Sequence, residues 1–358
     1  MPDVALRALG ARLRDDDPRA NSLRAALLEG DPLADDVVAW MDGRPERRAM
    51  LERAIARGVE KNAPAELAAF FDAIDRVPSW VDRKTIALAT DTLCRCARSG
   101  TYALGGASLM SGYLSSGAVK PLVATGLLLT MARRRLSETG KFLRDVATSG
   151  TLDRFSDGIQ SAIHVRVLHA VIRRRLLASG RWRVEEWGTP INQRDMVGTN
   201  LEFSIAYIGG LTALGCLLSR REREAMMHLW RFVGFVVGVR EDLLPKTFAE
   251  GLELAWMFNG TEQGPDDDSR ALAAALVEAW SPGLPGREHG AIGKIEGHFL
   301  TGYARFVLGR RAADALNLPN DAWKYAPLVV MPVRASFEAL RRLVPGARAR
   351  AVRRGRAA

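Results

Sequence analysis

The stretches Met131-Ala-Arg-Arg-Arg-Leu-Ser-Glu-Thr-Gly140 and Ile163-His-Val-Arg-Val-Leu-His-Ala170 decide how this chain folds. The first lies in an apolar segment with a basic centre, Pro121 to Ala147, which contains no further proline and is predicted to form one long helix. The segment from Thr148 to Asp153 then supplies a glycine stop and a possible new N-cap. A second helix is predicted from about Ser156 to Ala178. The pattern therefore indicates a helical hairpin.

The rest of the chain is also typical of helices. Of its 358 residues, 47% are hydrophobic, which is enough for a large buried core. The alternation of valine, isoleucine and threonine that marks strands is scarce. We therefore expect an all-α protein built as a single large helical domain, with extra helices at both ends. The expected divisions are an N-terminal helical extension (1–62), a helical core (63–260), C-terminal helices (261–345) and a disordered basic tail (346–358).

Polar residues of the first arm share one face. Arg135, Glu138 and Thr139 are spaced i, i+3 and i+4, so their side chains lie together. If the arms are antiparallel, Thr139 lies roughly 12 Å from the turn and His169 roughly 18 Å from it. The polar face of the first arm is therefore expected near the imidazole of the second.

The second arm carries two histidines, but they cannot point at one metal. His164 and His169 are about 140° apart around the helix axis, whereas Arg166 and His169 can share a face. A helix pair of this kind could hold a flat cofactor with His169 as an axial ligand of its metal. By spacing alone, a hydrogen-bonded histidine in the core is the commoner arrangement.

Five segments resemble a known family. They are Arg135–Thr139, Val165–Arg173, Trp187–Met196, Thr199–Ser204 and Trp230–Pro245. Together they are similar to the signature segments of the latex-clearing-protein (rubber oxygenase) superfamily, which also includes fungal ER-bound oxygenases. The resemblance covers roughly residues 64–260.

The resemblance implies a cofactor and a role for three residues. Members are all-helical and bind haem b, so His169 is expected as the proximal ligand of the iron. Arg135 and Thr139 are expected to line the distal pocket. Where characterised rubber oxygenases carry a distal lysine, this chain has Glu138, so rubber as the substrate does not follow from the resemblance.

Catalytic roles are predicted for Arg135, Glu138 and Thr139. Arg135 and Thr139 would direct dioxygen by hydrogen bonding, since donors aimed at developing charge are the strongest means a site has. Glu138 would accept a proton from the substrate, unless it pairs with a neighbouring arginine such as Arg134.

Further cofactor contacts are predicted beside the imidazole. Arg135 and Arg166 are candidates for binding the haem propionates. Asn192 and Thr199 are candidates for hydrogen bonding His169 and fixing its tautomer. Capping of a helix N-terminus by Asn192 is an equally good interpretation.

Charge and cysteine usage exclude other classes. The net charge is +10, concentrated at the C-terminus, but no aromatic residues alternate with these arginines, so no nucleic-acid partner is expected. Three cysteines in no CxxC motif indicate neither a disulfide framework nor a zinc site.

Residues 203–218 are uncharged but too short to span a membrane, so we expect a buried helix and no transmembrane segment. The N-terminus lacks a signal-peptide core, which favours a cytoplasmic protein.

Three functions remain open from the sequence. The leading hypothesis is a haem b-dependent oxygenase, with dioxygen and an apolar small molecule such as an isoprenoid or natural-product intermediate as substrates. The second is a non-catalytic haem carrier or sensor that keeps His169. The third is a helical scaffold without a cofactor.

Overall fold

A computed structural model describes residues 18–124, 128–261, 264–280 and 290–357. Within these ranges every regular element is a helix, so the all-α prediction is confirmed. No helix within them is long and apolar enough to cross a membrane.

Four helices form the N-terminal part of the described chain. Asp31 caps the second of them by accepting a hydrogen bond from the Ala34 amide, and Pro32 occupies its first turn. Apolar residues of these helices, among them Leu23 and Phe70, join the main hydrophobic core. The helices are α1 (Pro18–Ala25), α2 (Pro32–Met41), α3 (Pro45–Arg57) and α4 (Ala65–Asp75).

The central part contains the predicted hairpin. Its helices are α5 (Arg83–Arg95), α6 (Ala97–Tyr102), α7 (Ser116–Ala124), α8 (Leu128–Thr148), α9 (Asp157–Ala178), α10 (Gln193–Leu201), α11 (Tyr207–Ala213), α12 (Arg220–Val237) and α13 (Phe248–Thr261). Helix α12 begins with the capping box of Ser219 and Glu222 that the sequence indicates. It packs against α5, α9 and α10 and contributes the fully buried Trp230.

Two π-helical segments interrupt the α-helices of the centre. The first π segment is Ala103–Leu109 and the second π segment is Glu202–Ala206, and the two pack against each other. A π turn holds one extra residue, which redirects the side chains around it, and such turns are frequent at functional sites.

Five α-helices complete the described part of the chain. A second hydrophobic cluster lies here, around Trp280 and Leu300, and it also takes in Leu136 of α8. The helices are α14 (Asp267–Trp280), α15 (Gly290–Leu308), α16 (Arg310–Ala315), α17 (Ala326–Leu343) and α18 (Ala347–Arg356).

Two expectations differ from the structure. For the first arm, predicted as one helix from Pro121 to Ala147, the start differs, because Pro121 lies inside α7; residues 125–127 between α7 and α8 lie outside the described chain, so its continuity remains a prediction. The basic tail, expected to be disordered, forms α18, because Val352 is buried and Arg356 pairs with Asp91 of α5 at 2.7 Å. The expected boundaries after residues 62 and 260 remain predictions. Buried residues on both sides of residue 62 belong to the same main hydrophobic core.

Candidate functional site

The two arms of the hairpin pack closely at their shared turn. A Cβ added to Gly158 of α9 would lie only 3.0 Å from the Cα of Val146 in α8. Near the same point the Ser161 hydroxyl of α9 donates to the Asp145 carboxylate of α8. With the observed helix ends, Thr139 and His169 lie about 14 Å and about 18 Å along their helices from this turn. The predicted antiparallel hairpin is thus observed at its turn.

His169 has the properties of a metal-ligating imidazole. Burial, with a smaller effect of Arg173, lowers the pKa of His169 to about 4, so the ring is neutral at physiological pH. Its Nδ1 is buried and has no hydrogen-bond partner among the described residues. A neutral imidazole is the form that binds iron, and a buried ring nitrogen without a partner is costly unless something else uses it.

The face of α9 that carries His169 is incompletely covered. Val165, Leu168, His169 and Ile172 lie within about 100° of one another around the helix axis. Each keeps accessible surface, and Leu168 is 53% exposed although it is apolar. A flat apolar group bound at this face would cover leucine and imidazole together.

A neighbouring side of α9, about 60° from His169 around the helix axis, is fixed by a buried ion pair. The Nε and Nη2 atoms of Arg166 donate to the two carboxylate oxygens of Asp31 at 2.6 and 2.9 Å, and the guanidinium stacks on Phe70. Both side chains of the pair are under 10% exposed. Since two of the three guanidinium nitrogens are used by Asp31, Arg166 holds α9 against α2, and its predicted contact to a cofactor remains a prediction.

Arg135 and Thr139 line one small cavity, as their spacing predicts. Its volume is about 20 Å³, enough for one water molecule. Tyr113 also lines it, and most of the remaining wall is apolar, from Leu109, Leu136, Leu272 and Leu276. Arg135 and Thr139 thus face a mainly apolar space bounded by α8 and α14.

Glu138 does not share this cavity, which corrects its predicted role. Its carboxylate accepts a hydrogen bond from the Nε of Arg134 at 2.8 Å, and its side chain is 57% exposed. The spacing placed Glu138 about 60° from Arg135 around α8, and the nearby arginine draws it to the solvent side. This is the arginine pair that the sequence gave as the alternative to a proton-accepting role.

The acid that lies near the cavity of Arg135 and Tyr113 is Glu202, which was not predicted from the sequence. It begins the second π segment, and burial raises the pKa of Glu202 to about 8, with a smaller effect of Asp195. Burial raises the pKa of Tyr113, which lines the cavity of Arg135, to about 12, with a smaller effect of Glu202 when that group is ionised. Glu202 and Tyr113 are therefore mainly protonated at pH 7. The signal available in the sequence was a single acid immediately before sixteen uncharged residues.

Glycines in the segment before α7 leave room for the side chains of Glu202 and Tyr303. A Cβ on Gly112 would lie 2.4 Å from a carboxyl oxygen of Glu202, and one on Gly106 would lie 2.6 Å from the ring of Tyr303. At Gly106 the missing side chain allows close packing against Tyr303. At Gly112 the space is filled by a titratable group of the site.

Asn192 and Thr199 do not hydrogen bond to the buried Nδ1 of His169. Asn192 caps α10 by accepting from the Asp195 amide at 2.9 Å, which is the alternative role that the sequence allowed. Thr199 is exposed. Since the Nδ1 of His169 has no partner among the described residues, neither side chain fixes its tautomer in this structure.

The residues present fit a haem group by their chemistry. The neutral, unpartnered imidazole and the uncovered Leu168 suit the proximal side of a flat iron complex. Arg135 and Thr139 supply donors from the neighbouring arm. The cavity of about 20 Å³ is far smaller than a porphyrin. The fit to haem therefore rests on the chemistry of His169, Arg135 and Thr139 and on the open face of α9.

Fold and site together define an all-helical protein whose hairpin carries a neutral imidazole and a separate pocket of polar donors. Comparison with known proteins identifies the family. Residues 94–349 match the family of the ER-bound oxygenase mpaB/B′/rubber oxygenase catalytic domain, and the chain belongs to this family.

Two relatives extend this finding. The chain is 25% identical over 193 residues to the rubber oxygenase of Streptomyces sp. (strain K30), a match that covers 52% of this chain and 46% of that protein. The matched region thus spans about half the length of the curated relative. The fold is similar to that of a latex clearing protein in its closed state, with a TM-score of 0.65 and 18% identity over 93% of this chain and 91% of the other.

Proposed function

We propose that the protein is a haem b-dependent oxygenase that acts on an apolar small molecule, with dioxygen as co-substrate. Its membership of an oxygenase family supports the reaction class. The observation that supports this cofactor is the imidazole of His169, which is neutral and whose buried Nδ1 has no partner among the described residues.

His169 would hold the iron, and the apolar face around Leu168 would lie against the porphyrin. When bound, haem b supplies an iron centre able to activate dioxygen. The ion pair of Arg166 and Asp31 fixes the position of α9 against α2. Because that pair joins α9 to the capped N-terminus of α2, the ligand-bearing helix is held on a rigid support.

Arg135 and Thr139, on the first arm of the hairpin, would orient bound groups and stabilise negative charge. Arg135 is a permanent cation, and Thr139 offers a hydroxyl that both donates and accepts. Donors preorganised in a water-poor space stabilise developing negative charge more strongly than donors in water. Their cavity is small, with room for about one water molecule.

Glu202 and Tyr113 keep protons within the same region. With its pKa raised to about 8, the carboxyl of Glu202 is mostly neutral at pH 7 and can donate a hydrogen bond or release a proton. The pKa of Tyr113 is raised to about 12, so its hydroxyl also remains a donor. We assign to Glu202 the proton-handling role that the sequence gave to Glu138.

The substrate class follows from the lining of the cavity. Leucines from α8, α14 and the first π segment make up half of its lining residues. An apolar molecule, such as an isoprenoid or a natural-product intermediate, fits such a lining. The solvent-facing Glu138, which stands where characterised rubber oxygenases have a lysine, argues against assuming rubber.

One observation favours an alternative, a non-catalytic haem protein that carries haem or senses a gas. The cavity at Arg135 and Thr139 holds about one water, which suits a diatomic ligand better than an organic substrate. Such a protein would keep its haem spectrum and show no turnover.

The deciding experiment is the visible spectrum of the purified protein with a pyridine-haemochrome assay. We expect a Soret band that His169→Ala abolishes. The matched control is His164→Ala on the same helix, whose imidazole is exposed and pairs with Glu52 at 2.8 Å, and this variant should keep the band. A protein that cannot be reconstituted with haem, or a band that survives in His169→Ala, would contradict the proposal. Oxygen uptake with apolar substrates then separates the oxygenase from the sensor.

A further inference from the structure

Helix α17 exposes apolar side chains to an unusual degree. Of the fifteen exposed large hydrophobic residues in the described part of the chain, nine lie between Tyr325 and Val344. Phe337 is 62% exposed and Leu343 is 78% exposed. Contiguous apolar patches of this kind mark surfaces that are covered in use.

The exposed residues form one stripe. Val329, Val333, Phe337, Leu340 and Val344 fall within about 80° of one another at 3.6 residues per turn. The stripe runs for about 20 Å along the helix. Its regular spacing indicates a surface of α17 as a whole.

The inner face of α17, in contrast, is held to the protein by polar contacts. Glu338 pairs with the buried Arg95 of α5 at 2.6 Å, and Arg342 donates to the Leu217 carbonyl at 2.7 Å. The backbone of α17 lies so close to Gly215 that a Cβ there would meet the Met331 carbonyl oxygen at 2.4 Å. Glu338 is about 160° from Leu340 around the helix axis. The amphipathic pattern is therefore inverted, since a helix docked on a water-soluble protein normally turns its apolar stripe inward.

Charge identifies the kind of partner. Residues 326–357 contain eight arginines and one acid, Glu338. Some of these arginines are neutralised, as in the pair of Arg348 with Glu222 at 3.1 Å. Arg353 and Arg354 of α18 are exposed and form no ion pair with described residues. A second copy of this chain would bring two clusters of the same sign together, whereas an anionic lipid surface takes up both the arginines and the apolar stripe.

We propose that α17 and α18 form a docking surface for an anionic membrane, with α17 lying in the plane of the lipid headgroups. The apolar stripe enters the boundary between headgroups and acyl chains, and the arginines of α18 contact the lipid phosphates. This surface is separate from the site around His169, so the proposal does not depend on haem.

Co-sedimentation of the full chain with vesicles tests the proposal. One set contains phosphatidylcholine alone, and the other contains phosphatidylcholine with phosphatidylserine. We expect binding to the second set that weakens as salt is raised. Phe337→Ser/Leu340→Ser should lower this affinity at least about tenfold, because the buried apolar area is lost. Arg353→Glu/Arg354→Glu should lower it by a similar factor.

The control variant is Leu177→Ser, which removes an apolar residue of α9 that is 46% exposed and distant in sequence from α17. It should bind vesicles as the wild type does. Failure of the wild type to sediment with phosphatidylserine vesicles, or equal binding to both vesicle sets, would overturn the proposal. A wild-type dimer without vesicle binding, dissociated by Phe337→Ser/Leu340→Ser in size-exclusion chromatography, would assign the stripe to a second copy instead.

Discussion

The carboxyl group of Glu202 occupies the space that a side chain at residue 112, which is Gly112, would fill. A Cβ at residue 112 would lie 2.4 to 2.7 Å from the three atoms of this carboxyl. The two residues come from separate π-interrupted stretches of chain that pack on each other. A buried acid next to the cavity of Arg135 is thus accommodated by a missing side chain ninety residues earlier.

Gly112→Ala should displace Glu202 and destabilise the protein. The atoms that the added Cβ meets are the far end of a flexible side chain, so the cost should lie near the low end of overpacking, about 1 kcal/mol. The free energy of unfolding by urea measures it. The control is Gly117→Ala in α7, where an added Cβ meets no atom within 4 Å, and this variant should be neutral or slightly stabilising. Equal effects of both substitutions would mean that Glu202 does not fill the space at residue 112.

Glu202→Gln should be stabilising at alkaline pH and neutral at acid pH. The pKa of Glu202 is about 8 in the folded protein and lies near 4.5 in the unfolded chain. Between these values the unfolded state releases the proton and the folded state keeps it, so wild-type stability falls as pH rises from 4.5 to 8. The glutamine variant has no such loss, and its advantage should reach on the order of a few kcal/mol near pH 8. Unfolding curves of both proteins at pH 5 and pH 8 test this, and parallel pH profiles would contradict it.

Local patterns predicted the helical hairpin well, whereas the role of His169 remains a prediction. The glycine stop, the restart before α9 and the i, i+4 spacing of Arg135 and Thr139 depend only on neighbours in sequence, and the structure confirms the helices and their shared cavity. The family resemblance stated on the same segments is also confirmed. Spacing alone could not decide the direction of Glu138, because a carboxylate on an arginine-rich helix has two neighbouring faces available.

Contacts between distant segments could not be predicted. Asp31 and Arg166 are 135 residues apart, and nothing in the local pattern of either residue pairs them. The acid Glu202 appears in sequence as the polar edge of an apolar run, and its place beside Gly112 depends on the packing of two π segments. Helix α18 was missed because its arginines resemble a solvated tail, whereas Val352 and the pair of Arg356 with Asp91 hold it on α5.

Asp31→Ala should be strongly destabilising, because it leaves the guanidinium of Arg166 buried without its partner. Breaking a buried ion pair in this way typically costs about 3–5 kcal/mol, and the lost N-cap of α2 adds about 1 kcal/mol. Asp31→Ala/Arg166→Met should recover most of the larger loss. The control is Glu138→Ala, which breaks an exposed pair and should cost less than about 1 kcal/mol. Urea unfolding compares all three, and a double variant as unstable as the single one would show that the buried charge is not the cause.

Arg135→Ala should lower turnover of the haem-loaded enzyme and leave haem binding in place. Arg135 lines the cavity together with Thr139 and is the cation positioned to stabilise negative charge that develops there. Loss of one such donor typically lowers kcat by about a hundredfold or more. Arg134→Ala is the matched control, since Arg134 precedes it on α8 but is 68% exposed and pairs with Glu138. Oxygen uptake gives the rate and the Soret absorbance gives the haem content of each variant. If both variants retained wild-type turnover, Arg135 would have no catalytic role, and if Arg135→Ala lost its Soret band, the guanidinium would serve to hold the cofactor.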